Sequence, residues 1–154
     1  MNEILIFIQK EAFKLCKKKY SKKYIKLRIQ PIISYINSSN NKKFLISGSQ
    51  GIGKSSLILI IKKTLERFYN KKILTLSLDD YYFTKFKRQQ LAKEEHELLA
   101  TRGVPGTHDI KTLLKDIKKF ENNKYPLNIP IFDKLIDTRL KKKNKIYKKC
   151  DLLI

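Results

Sequence analysis

The apolar residues of this chain change their period along its length. From residue 2 to 18 they recur on one helical face, and the segment ends in lysines. A second such face runs over 22–36 and is interrupted by Pro31, where a helix must kink or restart because proline has no N–H and its ring crowds the preceding turn. The polar loop Asn37-Ser-Ser-Asn-Asn41 follows. Phe44-Leu-Ile-Ser47 then reads as a short buried strand, and Ser56-Leu-Ile-Leu-Ile-Ile-Lys-Lys-Thr-Leu65 as a helix. Lys72-Ile-Leu-Thr-Leu-Ser-Leu78, β-branched and Leu-rich between charges, predicts a second, parallel strand, so that a βαβ unit is complete by residue 78. Residues 85–100 and 110–120 read as helical and 128–132 as extended after Pro126, while 151–154 begins another apolar run. The pattern predicts an α/β domain over residues 1–154, with a helical segment in 1–40 and a strand–helix core in 41–154. Internal repeats and long low-complexity linkers are absent from the sequence, apart from the basic stretch 141–149.

The length suits one domain with one sizeable core. Charge adds a second hypothesis: 35 Lys+Arg against 14 Asp+Glu give +21, a field that attracts nucleic acid or an anionic membrane without any specific site. Only Arg28, Arg67, Arg88, Arg102 and Arg139 carry the planar fork that reads base edges. The excess is lysine spread over the whole chain together with abundant Ile and Asn, the drift expected of an AT-rich genome, so no specific nucleic-acid partner is expected. The stretch Lys17-Lys-Lys-Tyr-Ser-Lys-Lys-Tyr24 interleaves basic and aromatic residues as a single-strand binder would, but it also suits a solvated helix connection with Tyr20 and Tyr24 packed inward. Cys16 and Cys150 make no zinc-like spacing with His96 or His108. The apolar runs 4–8 and 57–61 are far shorter than a membrane span, and Glu3 argues against a signal peptide. These features lead to the expectation of a soluble cytoplasmic protein without a membrane partner, of open oligomeric state.

Candidate chemistry begins at Gly48 to Ser55. The octapeptide GSQGIGKS fits the G-x-x-x-x-G-K-[ST] phosphate-binding loop at every fixed position, between a predicted strand and a predicted helix. Gly48, Gly51 and Gly53 permit backbone turns in which successive N–H groups face a phosphate, with Ser49, Gln50 and Ile52 between them. Lys54 would reach the β- and γ-phosphates, the Ser55 hydroxyl would bind the Mg²⁺ that accompanies ATP, and Ser56 opens the helix whose N-terminus favours anions. The plainer alternative is a glycine turn joining a strand to a helix.

Leu78-Asp-Asp-Tyr-Tyr-Phe-Thr84 follows the second predicted strand, and the carboxyl ends of such strands face the ligand crevice in open α/β sheets. Asp79 or Asp80 would accept the proton of a substrate hydroxyl, the other orienting Mg²⁺ through water, unless both merely cap the next helix. In Arg102-Gly-Val-Pro-Gly-Thr-His-Asp109 the glycines and proline fix an irregular loop and Asp109 suits an N-cap, leaving Arg102, Thr107 and His108 available to an anionic or hydroxylated ligand. Ile129-Pro-Ile-Phe-Asp-Lys-Leu-Ile-Asp-Thr-Arg139 adds Asp133, Lys134 and Arg139, which serve equally as surface charges.

In this order the segments resemble the D-glycerate 3-kinase-like proteins, within the P-loop kinases that include uridine kinase, phosphoribulokinase and bacterial pantothenate kinase. The resemblance rests on the loop, L-D-D-[FY]-Y-x-T, R-G-x-P-G-T-H-D and P-x-[FY]-D-K, and covers residues 44–154. It implies a P-loop NTPase-type three-layer fold, a parallel sheet flanked by helices. It also implies transfer of the ATP γ-phosphoryl to a hydroxyl of a small, glycerate-like metabolite, with Lys54 and Ser55 on ATP and Mg²⁺. Asp79 would be the general base and a metal-side group, and Asp80, Tyr82, Arg102, His108, Asp133, Lys134 and Arg139 would lie around the acceptor. Two departures stand out. Leu135-Ile-Asp-Thr-Arg139 replaces a glycine-rich segment ending in Arg, and after Ile154 the family continues into a Glu-Gly strand, an arginine-bearing lid and adenine contacts. The fold is therefore expected to be incomplete at its C-terminus, with Asp151–Ile154 lying between the first two strands and the loop strand at an open edge. A non-catalytic ATP-binding remnant and a basic nucleic-acid-binding protein are the alternatives to an active kinase.

Overall fold

The computed structural model describes residues 2–154, with side chains described for 3–140 and 144–154. The backbone divides into two compact units: Leu76–Lys149 forms one, and the segments before and after it form the other.

The first unit begins with α1 (Asn2–Cys16), whose Leu5, Ile8 and Ala12 recur at helical spacing and are buried. The expected break at Pro31 is a change of helix type: α2 (Lys22–Tyr24) passes through the π-helical turn Ile25–Ile29 into α3 (Gln30–Ser38), with Pro31 in the first turn of α3. Gln30 N–H donates to the Ile25 carbonyl, so the wider turn absorbs the register change that the proline forces. Ile25, Ile29, Ile33 and Ile36 join the same buried cluster as the α1 face. Tyr20 and Tyr24 stack at 5.0 Å; Tyr20 packs against the core while Tyr24 is exposed, so only one of the two aromatics is drawn inward.

Helix α4 (Lys54–Tyr69) extends the predicted 56–65 by two residues before and four after, and adds Ile60, Ile61 and Leu65 to the same core. It ends at Asn70, a left-handed cap with φ +50°. β1 (Ile73–Leu74) pairs in parallel with β4 (Leu152–Leu153), and Leu153 also bridges in parallel to Lys43. The 151–154 run thus lies between the loop segment and the second strand, as the resemblance implies. The strand expected at 44–47 is less than that: Phe44 N–H donates to the Leu153 carbonyl at 2.9 Å, but among the described residues no further ladder holds 44–47. Phe44 and Ile46 pack on the core while Leu45 is 93% exposed, so the run has one buried face rather than two. The predicted strand over 72–78 likewise shortens to β1.

The second unit is built on an antiparallel hairpin of β2 (Leu127–Asp133) and β3 (Thr138–Tyr147). Leu127 and Ile129 are buried at odd positions and Phe132 at an even one, because the register shifts between Pro130 and Phe132 and turns the strand's other face inward. The basic stretch 141–149 falls mostly on β3, the side chains of 141–143 lying outside the described residues. Of the predicted helix 85–100, α5 (Lys85–Glu94) is helical and Glu97–Ala100 is a 3-10 turn. Thr84 caps α5, accepting from Lys87 N–H at 3.3 Å, and Asp109 caps α6 (Ile110–Glu121), accepting from Thr112 N–H at 3.0 Å. Among the described residues no helix is long and apolar enough to cross a membrane. Of the three-layer parallel sheet that the resemblance implies, the described residues hold the β1–β4 ladder with its Lys43 bridge.

Candidate functional site

The glycine loop lies in the first unit, and the other candidate residues lie in the second. Gly51 and Gly53 have φ of +80° and +93°, and a Cβ at either would meet no atom within 4 Å. It is therefore the left-handed backbone, not lack of room, that requires glycine there. Residues 48–53 are exposed. Lys54 folds back over them, its Nζ donating to the carbonyls of Gly48 at 2.7 Å and Ser49 at 2.8 Å. The Leu57 N–H donates to the Gly53 carbonyl at 2.9 Å as the first bond of α4, leaving the N–H groups of Lys54, Ser55 and Ser56 without an intrahelical acceptor. An ammonium held over the loop and three free helix N–H groups are the donor set that an oligophosphate requires. Among the described residues no three His, Cys, Asp or Glu side chains gather into a metal site. The exposed Ser55 at the start of α4 suits a divalent cation that arrives with phosphates and keeps most of its own ligands.

In the second unit the 3-10 turn Leu78–Tyr81 separates two neighbouring carboxylates. Asp79 is half-buried and pairs with Lys134 Nζ at 2.7 Å. Asp80 is buried: its Oδ1 accepts from Phe132 N–H at 3.2 Å and its Oδ2 from Lys145 Nζ at 2.7 Å, which pins the turn to the hairpin. Tyr82 and His108 form a backbone bridge, and their rings stack with centroids 3.9 Å apart. Phe132 packs on Tyr82 at 5.3 Å. The His108 Nε2 is buried without a hydrogen-bond partner. Burial holds this imidazole below the usual histidine range against the opposing pull of Asp79, and burial likewise pushes the Tyr82 phenol up.

The loop that carries Arg102 and His108 is fixed at both ends. Gly103 and Gly106 take φ of +95° and +93°, Thr107 Oγ1 donates to the Val104 carbonyl at 2.6 Å, and the N–H groups of Phe83 and Asp109 donate to the carbonyls of Thr107 and Tyr81. Arg139, predicted to face the acceptor, is engaged in this frame, donating to Asp109 Oδ2 at 3.1 Å and to the Tyr81 carbonyl at 2.7 Å. Asp133 is occupied by the hairpin turn, its Oδ1 accepting from Leu135 N–H at 2.8 Å and Ile136 N–H at 3.4 Å. Arg102 Nε lies 2.9 Å from Asp137 Oδ1, with its guanidinium 5.5 Å from the Phe132 ring centre. The second unit thus joins Asp79 with Lys134, Tyr82 with His108 and Phe132, and Arg102 with Asp137. It commits Asp80, Asp133 and Arg139 to backbone contacts. Sequence reasoning passed over Arg88 and Asp137, an arginine in a polar helix and an aspartate in a hairpin turn, neither of which carries a motif.

No family model matches the chain. Over 92 residues it is 37% identical to the uncharacterized kinase mug58 of Schizosaccharomyces pombe, and over 97 residues 36% identical to the probable ATP-dependent kinase TDA10 of Saccharomyces cerevisiae. These matches take in 58% and 57% of this chain and 33% of each relative. The solved YGR205w protein superposes with a TM-score of 0.65 at 28% identity over 86% of this chain and 49% of that one. The chain resembles the D-glycerate 3-kinase-like P-loop kinases. D-glycerate 3-kinase from Cryptococcus neoformans shares the fold, with a TM-score of 0.61 at 23% identity over 99% of this chain and 50% of that one. The chain thus spans about one third of the curated relatives' length and about half that of the solved chains.

Proposed function

We propose that the chain serves an ATP-dependent small-molecule kinase that transfers a γ-phosphoryl group to a hydroxyl of a small, glycerate-like acceptor. The observation that carries this reading is the glycine loop, with left-handed Gly51 and Gly53, the Lys54 ammonium folded over the loop and the unbonded N–H groups of α4 behind it. The kinase names of mug58 and TDA10 support it. Lys54 exchanges its two carbonyl acceptors for phosphate oxygens, a gain because those oxygens carry full charge. Ser55 would hold a Mg²⁺ that arrives with ATP, and the ion would neutralise charge on the phosphates. Asp79 accepts the hydroxyl proton, and Lys134, now paired with it, passes to the anionic side of the acceptor.

Nucleotide protection against heat or proteolysis tests the phosphate-binding step. Mg·ATP is expected to protect the wild type and not K54A, and equal protection of both overturns the reading. Phosphorylation assays with D-glycerate, uridine and pantothenate then separate an active kinase from a non-catalytic nucleotide binder. A second reading, polyanion binding, is favoured by an open hollow of about 450 Å³ along α6, where Lys111, Lys115, Lys118, Lys119 and Lys124 surround Leu114 and Asn122. Binding of this kind falls steeply with salt and survives K54A.

A further inference from the structure

Arg88 is the largest fully buried side chain among the described residues, on a helix whose other residues are exposed or half-buried. A buried guanidinium persists only where it is paired and hydrogen-bonded. This one donates to the carbonyls of Phe83 at 3.1 Å, Ala100 at 3.4 Å and Asp137 at 3.3 Å, and to the Asp137 carboxylate Oδ2. It thereby fastens the segment entering α5, the 3-10 turn that leads to Arg102, and the hairpin turn. Asp137 takes a left-handed backbone at φ +55°, which a short polar residue tolerates best after glycine.

The other oxygen of the same carboxylate, Oδ1, is buried and faces Arg102 Nε at 2.9 Å, close enough for charge attraction but without an aligned hydrogen bond. Arg88 and Arg102 both lie over the Phe132 ring, 5.6 and 5.5 Å from its centre. Two guanidinium groups on one carboxylate leave one positive charge in excess. Arg88 has no exposed side-chain surface whereas Arg102 is 33% exposed, so the excess is presented at Arg102.

We infer that Asp137, clamped by Arg88, is a positioning residue that aims Arg102 at an anionic group of the acceptor. With Nε turned to Asp137 and one face on Phe132, the two terminal nitrogens are left to take a carboxylate or phosphate through two parallel N–H bonds. Pre-fixing the guanidinium removes the ordering cost of a long side chain from the binding step. The inference rests on the kinase reading for the identity of the ligand, but the Asp137–Arg102 dependence can be read without turnover.

The test compares the ¹⁵N-labelled full chain with D137N and D137G; D137G suits the left-handed turn, so a misfolded D137N does not end the experiment. In the wild type the Arg102 Nε–H, assigned with R102K, is ordered by ¹⁵N relaxation. In both Asp137 variants it becomes mobile, while in D137N, whose side-chain oxygen still accepts from Arg88, the Arg88 Nε–H held by the Ala100 carbonyl keeps its order. With ATP and D-glycerate as substrates, the variants raise KM for D-glycerate about tenfold and leave kcat and KM for ATP within about twofold. D137N added to R102K costs nothing further. Unchanged Arg102 order, a loss confined to kcat, or additive effects of D137N and R102K each overturn the inference. Loss of Arg102 order in D137N with no D-glycerate turnover by the wild type overturns the kinase reading instead and leaves the positioning role standing.

Discussion

The His108 imidazole lies on the Tyr82 ring, centroids 3.9 Å apart, with its Nε2 buried and unbonded. Burial depresses its folded pKa and the nearby Asp79 charge only partly offsets this, so above pH 6.5 the neutral ring is stable where it sits. The unfolded chain binds the proton more readily, so stability is fully present above the unfolded value and is lost as pH falls through the folded one. Urea midpoints should decline between about pH 7 and 5, and H108Q should flatten that decline. Glu11 and Asp109 do not blur this window. Hydrogen bonds from Lys63 and then Lys14 lower Glu11; at Asp109 burial pushes upward, but bonds from Thr112 and Arg139 outweigh it. Their contributions are present above the unfolded carboxylate values and vanish only below about pH 4. A decline that H108Q leaves intact would show that another group titrates.

Gly53 is the last residue before α4 and has φ +93° in open space. G53A therefore meets no clash, and its cost is the left-handed backbone alone, about 1–2 kcal/mol if the conformation is kept. If the loop relaxes instead, stability is preserved and the phosphate donors move out of place. In that second case ATP affinity is expected to fall at least about tenfold, equivalent to 1.4 kcal/mol, by calorimetric titration. Unchanged affinity together with unchanged stability would mean that the loop does not hold the nucleotide.

The parts of this chain that were legible are those with local causes. Glycines that need positive φ, the Asp109 cap and the long apolar face of α4 each act within a few residues, and each stands where the sequence places it. β3 was hidden because its pattern is inverted: Lys145 turns inward to reach Asp80 while Ile146 is 66% exposed. Four consecutive apolar-rich residues at 44–47 cannot reveal that only Phe44 and Ile46 find the core. Arg88 and Asp137 had no local signal at all. Their roles arise only when residues 49 positions apart in sequence are brought together.

Tyr81 is fully buried, and its Oη donates to Asp116 Oδ2 at 3.1 Å. Asp116 is 3% exposed, with Lys119 Nζ only at 3.6 Å from its other oxygen. Y81F strips the carboxylate of its closest donor in a buried setting, so it is expected to destabilise by about 1–3 kcal/mol. Y81F/D116L, which removes both polar groups, should recover part of that loss. Urea unfolding of the two variants checks the prediction, and a neutral Y81F would show that Lys119 or water satisfies Asp116.

Asp79 and Lys134 form their 2.7 Å pair with side chains 46% and 64% exposed. An exposed ion pair contributes at most about 1 kcal/mol, so D79N is expected to leave the fold and its stability nearly unchanged. If Asp79 takes the acceptor proton, the amide removes the base, and kcat should fall about 10²- to 10⁴-fold with KM for ATP unmoved. K134A leaves the carboxylate in place and takes away only a cation, so its effect should fall on the KM of an anionic acceptor. The two variants thus separate proton transfer from charge pairing at one contact. A D79N protein that keeps the wild-type kcat would remove Asp79 from the chemistry and leave the pair as a surface ion pair.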